Sequence, residues 1–234
     1  MDTKKITIGV IAILVIALVG YRVGSAGGGA AMTLVEVEGL DDTATLVALA
    51  QGNSIGEDDA PITIVEFGDF QCGGCMQFNQ GSKPQILLSL VETGEARYVY
   101  YDLPLVSIHA FAFLAARASR CAADQGEYWA YHDALFANQP RWALSGTAPI
   151  GDFVGYAVDV GLDRGEFNSC LRSDRHADVV TANFMLAQQL GATGTPTVMV
   201  SLNGSRARLV TTQNFFGIQN AIAALREEQG GGED

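Results

Sequence analysis

The sequence predicts an α/β protein in which a mixed β-sheet is flanked by helices and interrupted by an inserted all-helical subdomain. Three observations lead to this fold class. A strand, a helix and a second strand come first, residues 109–191 then show only helical periodicity, and two strand-like runs and a helix close the chain. The β–α–β unit pairs its strands in parallel and the closing hairpin adds antiparallel strands, so the sheet is mixed.

The β–α–β unit is built around two apolar runs. Residues 62–67, ITIVEF, are β-branched and aromatic and predict a buried strand. From Cys72 onward the pattern is helical, Pro84 should kink this helix, and Gly94 should end it. Residues 97–105, RYVYYDLPL, predict the second strand. Cys72 therefore lies where a strand gives way to a helix.

The helical block follows the second strand. Asp163 is a suitable N-cap, and Glu166 occupies the capping-box position three residues later. The aromatic residues within the block are expected to pack in the core. Its predicted segments are 109–126, 127–139, 150–161 and 163–191.

The last part of the chain predicts a hairpin and a covering helix. Asn203-Gly204 divides the β-type run at residues 195–212, and an Asn-Gly pair between two strands is a strong hairpin signal. Residues 217–228 form an amphipathic helix, and residues 229–234 are expected to be a disordered tail.

Composition limits the classes of function. The chain has 234 residues, 48% of them apolar and 17% charged, which suits one well-packed domain. Its 14 basic and 26 acidic side chains give a net charge of −12. This charge disfavours binding to nucleic acid or to anionic lipid surfaces.

The N-terminus predicts export. Lys4 and Lys5 precede the apolar run ITIGVIAILVIALVGY at residues 6–21, so residues 1–23 are interpreted as a single-pass membrane anchor or a cleaved signal peptide. Residues 24–56 are read as a small-residue tether and an entry segment, with a short helix at 42–52. Both interpretations place the following domain on the extracytoplasmic side, either anchored or secreted.

Export affects the oxidation state expected for the four cysteines. Disulfides persist in an oxidising compartment, and four cysteines allow three pairings. We favour the pairing Cys72–Cys75 with Cys121–Cys170, which keeps the close couple together.

The Cys72-Gly-Gly-Cys75 motif admits three interpretations. A structural zinc site needs four ligands, yet Cys121 and Cys170 are 49 residues apart and the three histidines are scattered, so no metal is expected. A disulfide closing so small a loop is a poor staple. A CxxC after a strand in a β–α–β pattern is the arrangement of a redox pair, and the N-terminus of the helix would favour a thiolate at Cys72.

Four segments together resemble the DsbA-like thiol–disulfide oxidoreductases, and most closely the BdbD-like, membrane-anchored branch. They are VEFGDFQCGGC, RCAADQGEYWAYHDALF, FNSCL and GTPT at 194–197. The resemblance covers roughly residues 45–228. It implies a thioredoxin fold over residues 57–228 with a helical insertion at about 107–191.

The resemblance implies roles for the residues that match its motifs. Cys72 corresponds to the nucleophile and Cys75 to the resolving cysteine. Pro196 corresponds to a cis-proline, with Thr195 before it, whose loop faces the cysteines and pairs with substrate peptides. The alternative for Pro196 is an ordinary proline at the start of a strand.

The resemblance also implies an acidic residue and a second disulfide. Glu66 lies six positions before Cys72, as the buried acid of the family does, and would relay protons to the resolving thiol. Its alternative is an orientation toward solvent. Cys121 and Cys170 would form a structural disulfide, the alternative being two buried free thiols. Asp69 is interpreted as a turn residue.

The function expected from these residues is extracytoplasmic oxidation of dithiols in reduced or unfolded exported proteins. A membrane redox partner of the quinone-linked DsbB or VKOR type is implied by the resemblance, and no cofactor is expected beyond the Cys72–Cys75 disulfide. The alternatives are an exported reductase or isomerase and, less favoured, a peptide-binding chaperone-like module. Gly73-Gly74 replaces the proline and histidine of familiar DsbA, which predicts a milder oxidant.

His109 and His132 are interpreted as core or capping residues and not as catalysts. His109 still has a place near the active-site rim, because LPLVSIH leads from the β–α–β half into the insertion.

Overall fold

A computed structural model describes residues 31–230, and this part of the chain contains a five-stranded sheet in the order β1-β3-β2-β4-β5. The strands follow the β-branched and aromatic runs of the sequence. They are β1 (Asn53–Ile55), β2 (Ile62–Gly68), β3 (Ala96–Asp102), β4 (Thr197–Leu202) and β5 (Arg208–Leu209).

The sheet is mixed, as predicted. Strands β2 and β3 run parallel, while β1 pairs with β3, β4 with β2 and β5 with β4 in the antiparallel sense. Strand β2 is central, and Glu66 within it lies opposite Tyr100 of β3 and Val198 of β4. Strand β1 was missed in the sequence, because three residues at a sheet edge give no alternating pattern.

Helices cover the sheet and form the predicted helical insertion between β3 and β4. They are α1 (Thr43–Leu49), α2 (Gly73–Ile86), α3 (Ala112–Ala123), α4 (Tyr128–Ala137), α5 (Gln139–Trp142), α6 (Ile150–Asp159), α7 (Arg164–Arg172), α8 (Ala177–Gln189) and α9 (Phe215–Gly230). Helix α2 accommodates Pro84 and continues as a π-helical turn, Leu87–Val91, before a turn at Gly94. Helix α9 ends at Gly230, two residues past the predicted helix end at 228.

The predicted helix over 163–191 is wrong as a single helix. Helices α7 and α8 are separated at Asp174, whose φ of +49° is outside the helical range. Aspartate tolerates this conformation, and its carboxylate forms an ion pair with Arg117 at 2.9 Å. The hairpin turn is confirmed, with φ of +49° at Asn203 and +70° at Gly204.

Residues alternate between the two faces of strand β2. Ile62 and Ile64 are fully buried in the main core with α2 and α9, whereas Phe67 packs in a smaller cluster on the other face against α8. Glu66 continues the Ile62 and Ile64 series because side chains two residues apart share a face. The strand therefore points this carboxyl into the main core, beneath α2.

A buried ion pair fixes the insertion to the end of β3. Arg120 of α3 contacts Asp102 at 2.5 Å, and Asn183 of α8 donates to the same carboxylate at 3.0 Å. Arg120 also donates to the carbonyl of Gln51 at 2.6 Å. These contacts hold the insertion, the entry segment and the sheet in one arrangement.

The segment at 6–21, interpreted above as an anchor or signal peptide, lies outside the described residues. Between residues 31 and 230, none of the helices combines the length and apolarity needed to cross a membrane.

Candidate active site

The first cysteine lies at the N-terminus of α2. Strand β2 ends at Gly68, a short loop follows, and Cys72 is the N-cap of the helix with φ −76° and ψ 125°. The free backbone N–H groups of a first helical turn point toward such a position. Cys72 is half-buried and Cys75, one turn later, is completely buried. The two sulfurs thus differ in access to solvent.

Neither Cys72 nor Cys75 is in a disulfide in this structure. The Cys72 thiol donates to the carbonyl oxygen of Thr195 at 3.4 Å, and the Cys75 sulfur accepts from the N–H of Asp69 at 3.4 Å. The structure is therefore the reduced, dithiol form of the pair.

The environment separates the acidities of the two thiols. A hydrogen bond from the Cys75 thiol lowers the pKa of Cys72 to about 5, helped by the Thr195 hydroxyl and by the N–H groups of Cys75 and Gly74. Burial raises the pKa of the Cys75 thiol well above its usual value. Cys72 is therefore a thiolate at neutral pH while Cys75 keeps its proton.

The loop before β4 faces this pair. The Thr195–Pro196 peptide bond is cis. A Cβ placed on Gly74 would lie 3.3 Å from Pro196 Cδ and 3.7 Å from the Thr195 carbonyl oxygen, which shows how closely this loop approaches the CxxC motif. A cavity of about 340 Å³ continues along this side, lined by Gly74, Gln77, Phe78, Ser82, Pro196, Gln213 and Asn214.

The Thr195 hydroxyl is available to the Cys72 thiolate, because its Oγ1 is buried and has no hydrogen-bond partner among the described residues. We expect Thr195→Val to raise the pKa of Cys72 by about one unit, since one hydrogen bond to a charged sulfur is lost. Thiolate absorbance near the ultraviolet edge, followed against pH in the reduced protein, measures this change. Thr197→Val, one residue past Pro196, is the matched control, and an unchanged Cys72 titration in Thr195→Val would contradict the assignment.

Glu66 is buried beneath the pair, with 2% of its surface exposed. Tyr98 Oη donates a hydrogen bond to its carboxyl oxygen. Burial raises the pKa of Glu66 to about 7, although Tyr98 and the charge of Lys83 oppose the shift. Glu66 in turn helps to raise the pKa of Cys75. A carboxyl poised near neutrality and electrostatically coupled to a buried thiol is suited to proton exchange with it.

A buried lysine continues the polar cluster of Glu66 and Tyr98 toward the surface. Lys83 of α2 is 3% exposed, pairs with the half-exposed Asp133 and lies 3.4 Å from His132 Nδ1. Its ammonium is 4.9 Å from the centroid of the Trp129 ring. Burial lowers the pKa of Lys83 and lowers that of His132 to about 4, so His132 is neutral, and it lies in the core as predicted.

Asp69 does more than form a turn. It is buried, its Oδ1 accepts from the Gln71 N–H at 2.7 Å, and its Oδ2 contacts His109 Nδ1 at 2.7 Å. Sequence reasoning missed this pair, because the partners are 40 residues apart and local patterns do not bring them together. His109 is therefore attached directly to the loop that precedes Cys72.

A disulfide joins Cys121 of α3 to Cys170 of α7, both within the insertion. Within residues 31–230, these two sulfurs and His176 form the one group of potential metal ligands that lie close together. Because both sulfurs are used in the disulfide, neither is available as a thiolate ligand.

Known proteins similar to this chain fall into two sets. The family model described as Thioredoxin matches residues 49–215. Disulfide bond formation protein D of Bacillus subtilis is 30% identical over 154 residues, which are 63% of this chain and 66% of that protein. Na(+)/H(+) antiporter NhaA 1 of Salinispora arenicola is 35% identical over 169 residues, 72% of this chain. The chain spans only 24% of the length of that antiporter.

Solved structures agree with the fold. Oxidised BdbD of Bacillus subtilis superposes with a TM-score of 0.65 at 23% identity, covering 75% of this chain and 96% of that one. Wolbachia pipientis α-DsbA1 gives 0.65 at 22% identity, covering 78% and 96%. The predicted thioredoxin fold with a helical insertion, and the predicted resemblance to DsbA-like proteins, are confirmed.

Proposed function

Because the chain belongs to the thioredoxin family, among its DsbA-like thiol–disulfide oxidoreductases, we propose that it oxidises pairs of thiols in exported proteins through Cys72 and Cys75. The observation that carries this proposal is the difference between the two sulfurs. Reduction of the Cys72–Cys75 disulfide produces a stabilised Cys72 thiolate, with a pKa of about 5, so accepting two electrons is favourable. A disulfide whose reduced form is stabilised acts as an oxidant.

The proposed reaction begins with the oxidised protein. A substrate thiolate attacks Cys72 Sγ, a substrate–Cys72 bond forms, and the Cys72–Cys75 bond breaks. The electron pair leaves on Cys75, which then takes up a proton. The second substrate thiolate attacks the substrate sulfur of this mixed disulfide. The substrate disulfide forms and Cys72 leaves as a thiolate, so two electrons have moved from substrate to protein.

Access and acidity support this order of events. Cys72 is the half-buried sulfur and is open to attack, whereas Cys75 is completely buried. A thiol of low pKa is also the better leaving group, which favours release of Cys72 in the second step. Glu66 is proposed to supply the proton that Cys75 takes up, since its raised pKa keeps a proton on the carboxyl near neutral pH.

Glu66→Gln should change the pH dependence of stability in the reduced protein. The folded carboxyl, with a pKa of about 7, holds a proton between pH 4.5 and 7 that the unfolded carboxyl releases, so Glu66 lowers stability as pH rises through this window. The variant should therefore be more stable than the natural protein at pH 8, by up to about 3 kcal/mol, with little difference at pH 4.5.

Urea unfolding of the two reduced proteins at both pH values measures this effect. Glu92→Gln, a change at an exposed carboxylate after the π-helical turn, is the matched control. Equal stability differences at pH 4.5 and pH 8 would contradict a buried Glu66 that titrates near neutrality.

The equilibrium of the Cys72–Cys75 couple with glutathione tests the direction of electron flow. An oxidase requires a potential well above that of thioredoxin, which is about −270 mV. A potential near that value would overturn the oxidase proposal and favour the exported reductase or isomerase, which would use the same cysteines. The milder potential predicted from Gly73-Gly74 stays a prediction.

Substrates are proposed to be reduced or unfolded exported proteins. The cavity beside Pro196 offers a place for an extended segment, and the loop around Thr195 supplies main-chain groups near Cys72. A peptide-binding module would bind such segments equally well after loss of both cysteines. Binding of a reduced, unfolded protein that needs no Cys72 or Cys75, combined with no oxidation by the natural protein, would favour that alternative.

The extracytoplasmic location is part of this proposal. The Cys121–Cys170 disulfide supports it, because disulfides persist in oxidising compartments. The apolar run at residues 6–21 is proposed as the anchor, and a quinone-linked membrane protein of the DsbB or VKOR type is proposed to reoxidise the dithiol. Carbonate-resistant retention of the full chain in the membrane fraction is expected, and release of an uncut or shortened chain would overturn the anchor.

A further inference from the structure

A buried carboxylate holds a histidine against the loop that precedes Cys72. The Asp69 side chain is completely buried. Its Oδ2 accepts a hydrogen bond from the Leu105 N–H at 2.8 Å and contacts His109 Nδ1 at 2.7 Å. Its Oδ1 accepts from the Gln71 N–H at 2.7 Å. The carboxylate is thus fixed from three directions, and it fixes the imidazole in turn.

The same loop contacts both cysteines. The Asp69 N–H donates to Cys75 Sγ at 3.4 Å, and the Asp69 carbonyl accepts from the Cys72 N–H at 3.1 Å. A second link comes from Gln71, whose Oε1 accepts from the Phe111 N–H at 2.8 Å. The start of the insertion is therefore attached to the residues immediately before Cys72 at two points, and His109 is one of them.

The CxxC motif itself carries no charge that could favour a thiolate. Gly73 and Gly74 have no side chains, and Met76 and Gln77 follow Cys75 in the first turns of α2. The Asp69 carboxylate contacts His109, and the Asp69 carbonyl accepts from the Cys72 N–H, so a single residue joins the imidazole to the start of α2. The hydrogen bond to Asp69 raises the pKa of His109, and the Cys72 charge raises it further.

We propose that protonated His109, held by Asp69, stabilises the Cys72 thiolate and thereby makes the Cys72–Cys75 disulfide easier to reduce. His109 acts on the Cys72 sulfur through its charge and takes no part in bond exchange, so it is not a catalytic residue. Only the effect on electron transfer rests on the proposed function. The coupling between the His109 imidazole and the Cys72 sulfur does not depend on which reaction the protein carries out.

Reciprocity gives a test that requires no variant. If the Cys72 thiolate favours protonated His109, then removing that thiolate by oxidation must weaken proton binding at His109 by the same factor. NMR titration of the histidine ring protons in the reduced and the oxidised full chain measures this factor. We expect about three- to tenfold tighter proton binding at His109 in the reduced protein. The His176 resonances should not respond to the redox state.

A charge-removing variant gives the second test. His109→Gln keeps a hydrogen-bond donor for Asp69 and removes the positive charge. It should lower the acid dissociation constant of the Cys72 thiol about three- to tenfold and shift the potential by about 15 to 30 mV toward more reducing values, at roughly 30 mV per tenfold. His176→Gln is the matched control, since His176 is 18% exposed against 21% for His109 and contacts Asp124 at 3.0 Å.

Identical His109 titrations in the two redox states would overturn the inference. It would also be overturned if His109→Gln, like the control His176→Gln, left the Cys72 titration unchanged. If His109→Gln does not fold, the NMR comparison on the natural protein decides alone. Failure of the proposed function is a separate result. A protein with thioredoxin-like potential that still shows the redox-dependent His109 titration would contradict the oxidase proposal and support the His109 inference.

Discussion

Replacing Cys72 with serine should abolish thiol–disulfide exchange by the full chain, while replacing Cys75 with serine should leave Cys72 able to form a mixed disulfide with an existing disulfide. Serine has no sulfur, so at position 72 it can neither attack as a thiolate nor form the disulfide that a substrate thiolate attacks, and Cys72→Ser should oxidise a reduced protein substrate no faster than buffer does. Cys75 is completely buried and cannot substitute for it.

The Cys75→Ser variant should instead accumulate mixed disulfides. Cys72 would still react with the disulfide of a substrate or of glutathione, and no second cysteine would release the product. Mass spectrometry of the adduct and turnover of a reduced protein substrate measure the two outcomes. Turnover by Cys72→Ser would contradict the assigned nucleophile, and adducts on Cys75 in that variant would reverse the two roles.

Two variants at position 75 separate the causes of Cys72 acidity. The largest contribution to the low pKa of Cys72 is the hydrogen bond from the Cys75 thiol. Serine retains a donor at that position and alanine does not. The rate at which iodoacetamide alkylates Cys72 near pH 5 should therefore fall more in Cys75→Ala than in Cys75→Ser.

Loss of the Cys121–Cys170 disulfide should destabilise the protein strongly without changing the chemistry of Cys72. The bond joins residues 49 apart, and in the chain-entropy model closing such a loop stabilises the fold by roughly 4 kcal/mol, an upper figure. The double variant Cys121→Ala, Cys170→Ala should therefore lower Tm by about 8 to 16 °C, given roughly 2–4 °C per kcal/mol for a domain of this size.

Thermal unfolding of both proteins in the absence of reductant measures the loss. Thiolate absorbance of Cys72 in the folded variant serves as the control, because the disulfide lies in the insertion, between α3 and α7. An unchanged Tm would show that the bond has no structural role. A changed Cys72 titration in the folded variant would show that the disulfide in the insertion influences the acidity of Cys72.

Much of the active site could be predicted because it lies in local patterns. Cys72 and Cys75 follow a strand, and Glu66, which the resemblance singled out, shares its period-two face with Ile62 and Ile64. The resemblance added Pro196. Such features depend on residues close in sequence or on one alternating strand, so they can be predicted from the sequence.

The parts that could not be predicted depend on contacts between distant segments. The Asp69–His109 pair spans 40 residues, and the buried ammonium of Lys83 meets Asp133 from 50 residues away. A lysine and an aspartate on helices normally indicate solvent-facing positions. Only the docking of α4 against α2 shows that Lys83 is covered. The break at Asp174 was likewise hidden, because aspartate also occurs within continuous helices.

The two glycines between the cysteines differ in what surrounds them, and this difference bears on directed evolution of the protein. Neither adopts a positive φ, so neither is demanded by the backbone. A Cβ at Gly73 would meet nothing within 4 Å, whereas one at Gly74 would press on Pro196 Cδ at 3.3 Å. A saturation library at position 73 should thus yield folded proteins that span a range of redox potentials, whereas a library at position 74 should mainly select for changes in the Pro196 loop.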